Sequence, residues 1–445
     1  MNIRPVVLAA AAAVIAGCGT HGSSAPMLPQ DALQNVRAAA STRGHIVSLK
    51  KMTVITVHQM SAGVVNGVVA QITGPPKCDV TLYAIVYDTV GVKGEPADAS
   101  AAFMVPGAKC GKGPFPLVGY AHGTNIAHNQ LITDPSTSNP NWTAPDQNPV
   151  TVAAIYAAHG YAVAATDYLG LGLSTYPFHP YLHVDSEATA VIDSMRAVRT
   201  AAKTLGISLH SGTGVFLAGH SQGGQVAVGT QRAIESGAYK GEFSVLIDGA
   251  SSGPYALSQT FQDAVRHQSQ DAPLLAAYTL TGYQKIYGNL YTDPTTIFQD
   301  PYAAHIDNLL PVHTYAQADL LEGKTLPLKL GDLLQPAFVK SFLQNSKSPA
   351  RVAAADNNLL SGWKPVGPID LCGGSRDPEV EYKNAIAGEL YFESVHAKVS
   401  PLRNVNDLIP SSVPFTDYHV TVAIFCLTLE RAQRFDPRAA KLPPS

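Results

Sequence analysis

The sequence predicts an α/β protein with a mostly parallel sheet, an antiparallel hairpin ahead of it and a helical insertion late in the chain. Three observations carry that expectation. Residues 79–87 (DVTLYAIVY) and 99–105 (ASAAFMV) alternate as strands around the turn-forming GVKGEPAD. From residue 115 onward, apolar strand-like runs alternate with helical segments, the pattern of a sheet covered by helices. Between Pro254 and about Ala350 the alternation stops, and no strand-like run of similar strength appears within that segment.

The strands expected in the parallel part are residues 116–121, 161–166, 214–218, 244–248 and 367–372. Helices are expected between them at 150–159, 187–205 and 224–236. In the second of these, Val191, Met195 and Val198 recur at helical spacing, which turns one face to the sheet. Inside the insertion, Tyr283, Tyr287 and Tyr291 fall four apart and would share a helix face. That stripe is expected to pack the insertion's own small core, with direct ligand contact as the alternative.

Composition narrows the function classes. Hydrophobic residues make up 46% of the 445 residues and charged residues only 14%, which excludes extended disorder. The net charge is −3 and no basic run exceeds Lys50-Lys51, so nothing marks a nucleic-acid partner. The 32 prolines and 37 glycines point to many turns, not to long coiled coils.

The first residues read as an export signal, with Arg4 ahead of an apolar run over 6–16. As a helix that run is ~16 Å long, about half the ~30 Å hydrocarbon thickness, so it is too short to span a bilayer. Ile15-Ala16-Gly17-Cys18 resembles the lipobox of bacterial lipoproteins. The resemblance implies acyl chains on Cys18 and a membrane surface as partner. An ordinary secretory signal with an incidental cysteine is the alternative. Residues 19–29 (GTHGSSAPMLP) then read as a flexible tether.

Export places the other four cysteines, Cys78, Cys110, Cys372 and Cys426, in an oxidising compartment, where three pairings are open. The expected hairpin favours one of them. A symmetric turn centred on Gly94 brings Cys78 opposite Cys110.

The chemistry concentrates at Gly219-His220-Ser221-Gln222-Gly223, a G-x-S-x-G motif between an apolar run and a helix-like segment. A serine hydroxyl is a poor nucleophile, so it must be exposed and held beside a base; a tight strand-to-helix turn flanked by glycines achieves this. Ala121-His122-Gly123-Thr124 follows an earlier strand, Asp167-Tyr168-Leu169-Gly170-Leu171-Gly172 the next, and Gly373-Gly374-Ser375-Arg376-Asp377 a later one. On these residues the chain resembles the α/β-hydrolase superfamily over about 115–430. The Asp-Tyr-Leu-Gly-Leu-Gly loop, followed by a helix with Asp193 and Arg196, resembles the secretory lipase (lipase A-like) family within it.

The resemblance implies an α/β-hydrolase fold and a serine carboxylic-ester hydrolase, lipase or esterase. It divides the chain into a signal peptide (1–17), a lipid-anchored tether (18–45) and a hydrolase core (46–253 and 351–445). A helical lid or cap (254–350) interrupts that core. In this fold the triad runs serine, acid, histidine. Of 15 histidines only His396 and His419 follow the candidate acid Asp377. His396 sits in a helix-like stretch, whereas His419 follows the turn-like Pro414-Phe415-Thr416-Asp417, which suits a base presented from a loop. Asp377 precedes a proline and so also suits a helix N-cap; Asp248 is the alternative acid. The expected oxyanion donors are the N–H of Gln222 and that of Gly123 or Thr124.

No cofactor or metal is expected. His179 and His183 lie four apart, but Pro180 intervenes and the HExxH glutamate is missing. Gly170-Leu171-Gly172 lacks a phosphate-binding lysine and reads as a turn lining the cleft. Two rival functions stay open: a serine peptidase or amidase on the same fold, and a surface lipoprotein that keeps the body as a binding scaffold.

Overall fold

The computed structural model describes residues 42–443 apart from 139–142, 240, 268–270, 319–320, 322 and 414–417. The signal segment, Cys18 and the tether up to residue 41 lie outside the described residues, as do the four residues ahead of Tyr418. The strands are β1 (Ile46–Ile55), β2 (Val80–Val90), β3 (Pro96–Pro106), β4 (Leu117–Ala121), β5 (Ala162–Tyr168), β6 (Gly214–His220), β7 (Ser244–Ser251), β8 (Ile369–Gly373) and β9 (Arg403–Asn404). They form one sheet in the order β1-β2-β3-β5-β4-β6-β7-β8-β9. Pairing is antiparallel from β1 to β5 and parallel from there to β9.

Every residue of β4, β5 and β8 is buried, because helices cover both faces of the sheet. Alternate residues of β5 belong to opposite cores: Ala162 and Ala164 to one, Val163 and Ala165 to the other. On the first face Val191, Met195 and Val198 of the helix Val184–Leu205 pack with Val226 of the helix Gln222–Glu235. On the second, Val152 and Ile155 of Pro149–Ile155 meet Ile424 and Leu427 of Tyr418–Glu430.

The N-terminal part departs from the expectation in three ways. β1 makes the expected two-stranded hairpin three-stranded; as a half-exposed edge it carries only a weak apolar pattern. Arg43, assigned to the tether, is docked on the body, its guanidinium 2.9 Å from Asp193 and 3.0 Å from the Tyr239 hydroxyl. The hairpin pairs Val80 with Pro106 and Val90 with Pro96, which centres the turn on Lys93, one residue before Gly94. A short 3-10 turn, Ala108–Cys110, then carries Cys110 to Cys78.

Both disulfides, Cys78–Cys110 and Cys372–Cys426, are formed, with Cα separations of 5.6 and 5.7 Å. The second ties β8 to the helix Tyr418–Glu430. Replacing Cys372 and Cys426 together by serine is expected to cost about 2–5 kcal/mol of stability, read as a lower denaturant midpoint with an unchanged slope.

Between β7 and β8 the described residues form helices, 3-10 turns and isolated bridges, running from Leu257–His267 to Pro349–Asp356. Tyr278, Tyr283, Phe298 and Leu333 lie in an apolar core that the insertion shares with Ile126, Ala127, Tyr181 and Leu182 of the hydrolase-core loops, so the expected separate core is in fact continuous with the body. Tyr283 and Tyr287 pack edge to face at 5.5 Å on the helix Ala272–Tyr287. That helix ends at Gly288, which takes a φ of 69°, so Tyr291 leaves the stripe and packs against Phe298.

Candidate active site

β6 ends in a turn too tight for any residue but glycine two positions before and two positions after Ser221. A Cβ on Gly219 would lie 2.1 Å from the Gly223 carbonyl oxygen, and one on Gly223 would lie 2.0 Å from that of Ala121. Ser221 itself takes a φ of 58°, a conformation that costs a non-glycine residue ~1–3 kcal/mol. A backbone bond of 2.9 Å from its N–H to the Ser251 carbonyl on β7 helps to hold it there. Gln222 is the first residue of the following helix, where N–H groups have no intrahelical acceptor and the helix dipole favours negative charge.

The Gln222 side chain is anchored in a buried network. Its Nε2 donates to Glu187 Oε1 at 2.5 Å and to His179 Nε2 at 2.9 Å. The bond between His179 Nδ1 and the Leu169 carbonyl requires the proton on Nδ1, which leaves Nε2 as the acceptor. His183 bonds Ser186 instead. Gly170 and Gly172 adopt positive φ in a turn over Asp167 and are not among the residues lining the pocket described below.

His419 is the second residue of the helix Tyr418–Glu430, not a loop residue. Its Nδ1–H donates to both oxygens of Asp377, at 2.9 and 2.8 Å. Its ring packs on His220, the residue before Ser221, with centroids 4.6 Å apart. The buried Nε2 has no hydrogen-bond partner among the described residues. Burial disfavours a charged ring, but Asp377, Glu379 and Asp146 together outweigh it and raise His419 to about 10. His396 lies past its helix, which ends at Ser394, and takes a φ of 55°.

Asp377 does not cap a helix. Its Oδ1 accepts the N–H groups of Glu379 and Val380 at 3.0 and 3.1 Å, closing a side-chain turn, and the next helix starts only at Lys383. Asp248, the alternative acid, is buried inside β7 with neither carboxyl oxygen hydrogen-bonded among the described residues, while Asp377 occupies His419 Nδ1.

Of the two loop amides expected as oxyanion donors, Gly123 is already engaged: its N–H donates to Asp146 Oδ2 at 2.8 Å. The Thr124 side chain bonds the Tyr181 hydroxyl at 2.8 Å and its carbonyl accepts from Gln147 Nε2 at 2.5 Å. Tyr120 donates to the Asp146 carbonyl at 2.7 Å. Asp146 and Gln147 thus clamp the loop that presents Thr124.

Ser221, Gln222, Thr124 and Glu379 share one pocket with the insertion, whose side contributes Leu275, Leu280, Phe338 and Phe342. Its empty space, open mouth included, is about 940 Å³.

A sequence profile described as the alpha/beta hydrolase family matches residues 121–411, more than half of the chain. The chain belongs to that family. This α/β hydrolase is similar to the rice cell wall degrading esterase LipA from Xanthomonas oryzae, with 34% identity and a TM-score of 0.76 over 89% of this chain and 99% of that one. It shares the fold of a putative hydrolase from Legionella pneumophila, with 21% identity and a TM-score of 0.72 over 87% and 99% of the two chains. Candida antarctica lipase A in its closed state shares the fold at 14% identity, with a TM-score of 0.64 over 94% and 85%. No curated protein matches.

Two residues of the hydrolase's site escaped the sequence reading. Asp146 acts through one backbone bond to a loop 23 residues earlier, which no periodic pattern records. Glu379 sits two residues after Asp377, but the ring nitrogen it faces is fixed only by the fold.

Proposed function

We propose that this α/β hydrolase is a serine carboxylic-ester hydrolase of the lipase A-like type, working through Ser221, His419 and Asp377. The observation that carries the reading is the imidazole of His419, bound at Nδ1 by Asp377, packed on the neighbour of Ser221, with Nε2 left unpaired. Nε2 takes the Ser221 proton as the hydroxyl attacks an ester carbonyl, and Asp377 holds the tautomer and stabilises the imidazolium. The N–H groups of Gln222 and Thr124 meet the developing oxyanion, each typically worth ~3 kcal/mol of barrier. The alcohol leaves with the proton from His419. Water, deprotonated by the same ring, then releases the acid from Ser221.

The apolar wall of Leu275, Leu280, Phe338 and Phe342 favours an apolar acyl group. Two disulfides fit an exported chain, and acyl chains on Cys18 would hold it at a membrane surface.

One experiment separates the readings. Protein without residues 1–18, treated with a fluorophosphonate, is expected to carry a single adduct on the Ser221 peptide and to hydrolyse p-nitrophenyl esters faster as the acyl chain lengthens from C2 to C8. Preference for aminoacyl amides would make it a peptidase, and an inert, well-folded protein would make it a binding scaffold.

A further inference from the structure

We propose that Glu379 is a positioning residue whose carboxylate faces His419 Nε2, opposite Asp377 on Nδ1, and through its charge sets the pH at which His419 becomes a base. The inference rests on the ester-hydrolase reading above. One short turn supplies both carboxylates. Asp377 turns back onto the N–H groups of Glu379 and Val380, which places its own oxygens on Nδ1. The same turn carries the Glu379 carboxylate round to the far side of the ring, 3.7 Å from Nε2. That distance is too long for a hydrogen bond but well within the range at which an opposite charge favours the imidazolium. The Glu379 side chain is one-fifth exposed, so its charge is only partly screened, and it lines the pocket with Ser221 and Thr124.

Of the other groups around the pair, Asp146 and His220 are already committed, whereas Asp271 bonds Glu379 itself. Facing His419, Asp146 holds the Gly123 N–H and the His220 ring bonds the Ser251 hydroxyl at 2.8 Å. Facing Glu379 are Asp377, Asp271 at the start of the insertion's helix Ala272–Tyr287, and the Tyr181 hydroxyl. Burial raises Glu379 to about 7, with the His419 charge pulling it down and Asp271 and Asp377 pushing it up. An ionised Glu379 stabilises the imidazolium that forms when Ser221 gives up its proton. It stabilises the same charge in the free enzyme, so neutral His419 appears only at a higher pH.

The test is the pH profile of kcat/KM for a soluble short-chain ester, which reports the ionisation of the free enzyme. Removing the negative charge lowers the proton affinity of His419. In Glu379→Gln the acid limb is therefore expected to move down by about one pH unit. On the wild-type limb the variant then outruns the wild type several-fold, while its plateau falls several-fold. Glu379→Asp keeps the charge and should return the limb toward its wild-type position, which a purely structural role would not do. Glu379→Ala removes the same charge and gives the same shift if the glutamine variant does not fold. A limb in the charge-removing variants that coincides with the wild type overturns the proposal. Absence of a fluorophosphonate adduct on wild-type Ser221 is a different failure, that of the ester-hydrolase reading itself.

Discussion

Ser221→Ala is expected to lower ester hydrolysis by about 10⁴-fold or more, down to what the oxyanion donors and binding alone provide. The substitution isolates the chemistry because it leaves the turn intact. Alanine bears a Cβ like serine, so the strain at a φ of 58° is unchanged, and the backbone bond to Ser251 needs no side chain. The unfolding midpoint should therefore stay within ~0.5 kcal/mol of the wild type. Initial rates with a p-nitrophenyl ester, set beside a thermal melt, check both halves. Residual activity within tenfold of the wild type would remove Ser221 from the mechanism.

Asp377→Asn is expected to lower kcat by about 10³–10⁴-fold with little change in KM. The cause is the tautomer. Asp377 Oδ1 accepts two backbone N–H groups, so the asparagine carbonyl takes that place and its NH₂ takes that of Oδ2, the oxygen 2.8 Å from His419 Nδ1. Two donors cannot face each other, and the ring moves its proton to Nε2, the atom that must receive the proton of Ser221. Loss of the carboxylate also lowers the proton affinity of His419, so the acid limb shifts to lower pH even as the plateau collapses. Steady-state kinetics across pH distinguish this from Glu379→Gln, where the limb moves and the plateau loses only a few-fold. A kcat near the wild-type value would return the acid's role to another carboxylate.

The parallel part of the sheet was legible because its strands are buried on both faces and read as unbroken apolar runs, β4 and β5 above all. β1 was not, since a half-exposed edge strand containing Lys50 and Lys51 shows little of that pattern. The order Ser221, Asp377, His419 follows from the connectivity of the fold, which is why the proposed triad could be drawn from sequence alone. Where each side chain arises locally was harder to read. His419 was expected in a loop, yet Tyr418 to Glu430 is apolar enough to bury the helix from its first turn. Gly123 or Thr124 was expected to offer an amide, yet a carboxylate 23 residues after Gly123 claims that of Gly123. Contacts of that kind depend on where loops meet in space.

The insertion has a consequence for how this protein changes over time. Because the region between β7 and β8 packs around Tyr278, Tyr283 and Phe298 together with loop residues such as Tyr181 and Leu182, and takes no strand residue of the sheet into that cluster, its inward-facing residues can change in size and polarity without repacking the strands. Selection can thus recut the chamber for a different guest while the proposed proton relay, rooted in β6, β8 and the bridged helix behind them, is inherited untouched.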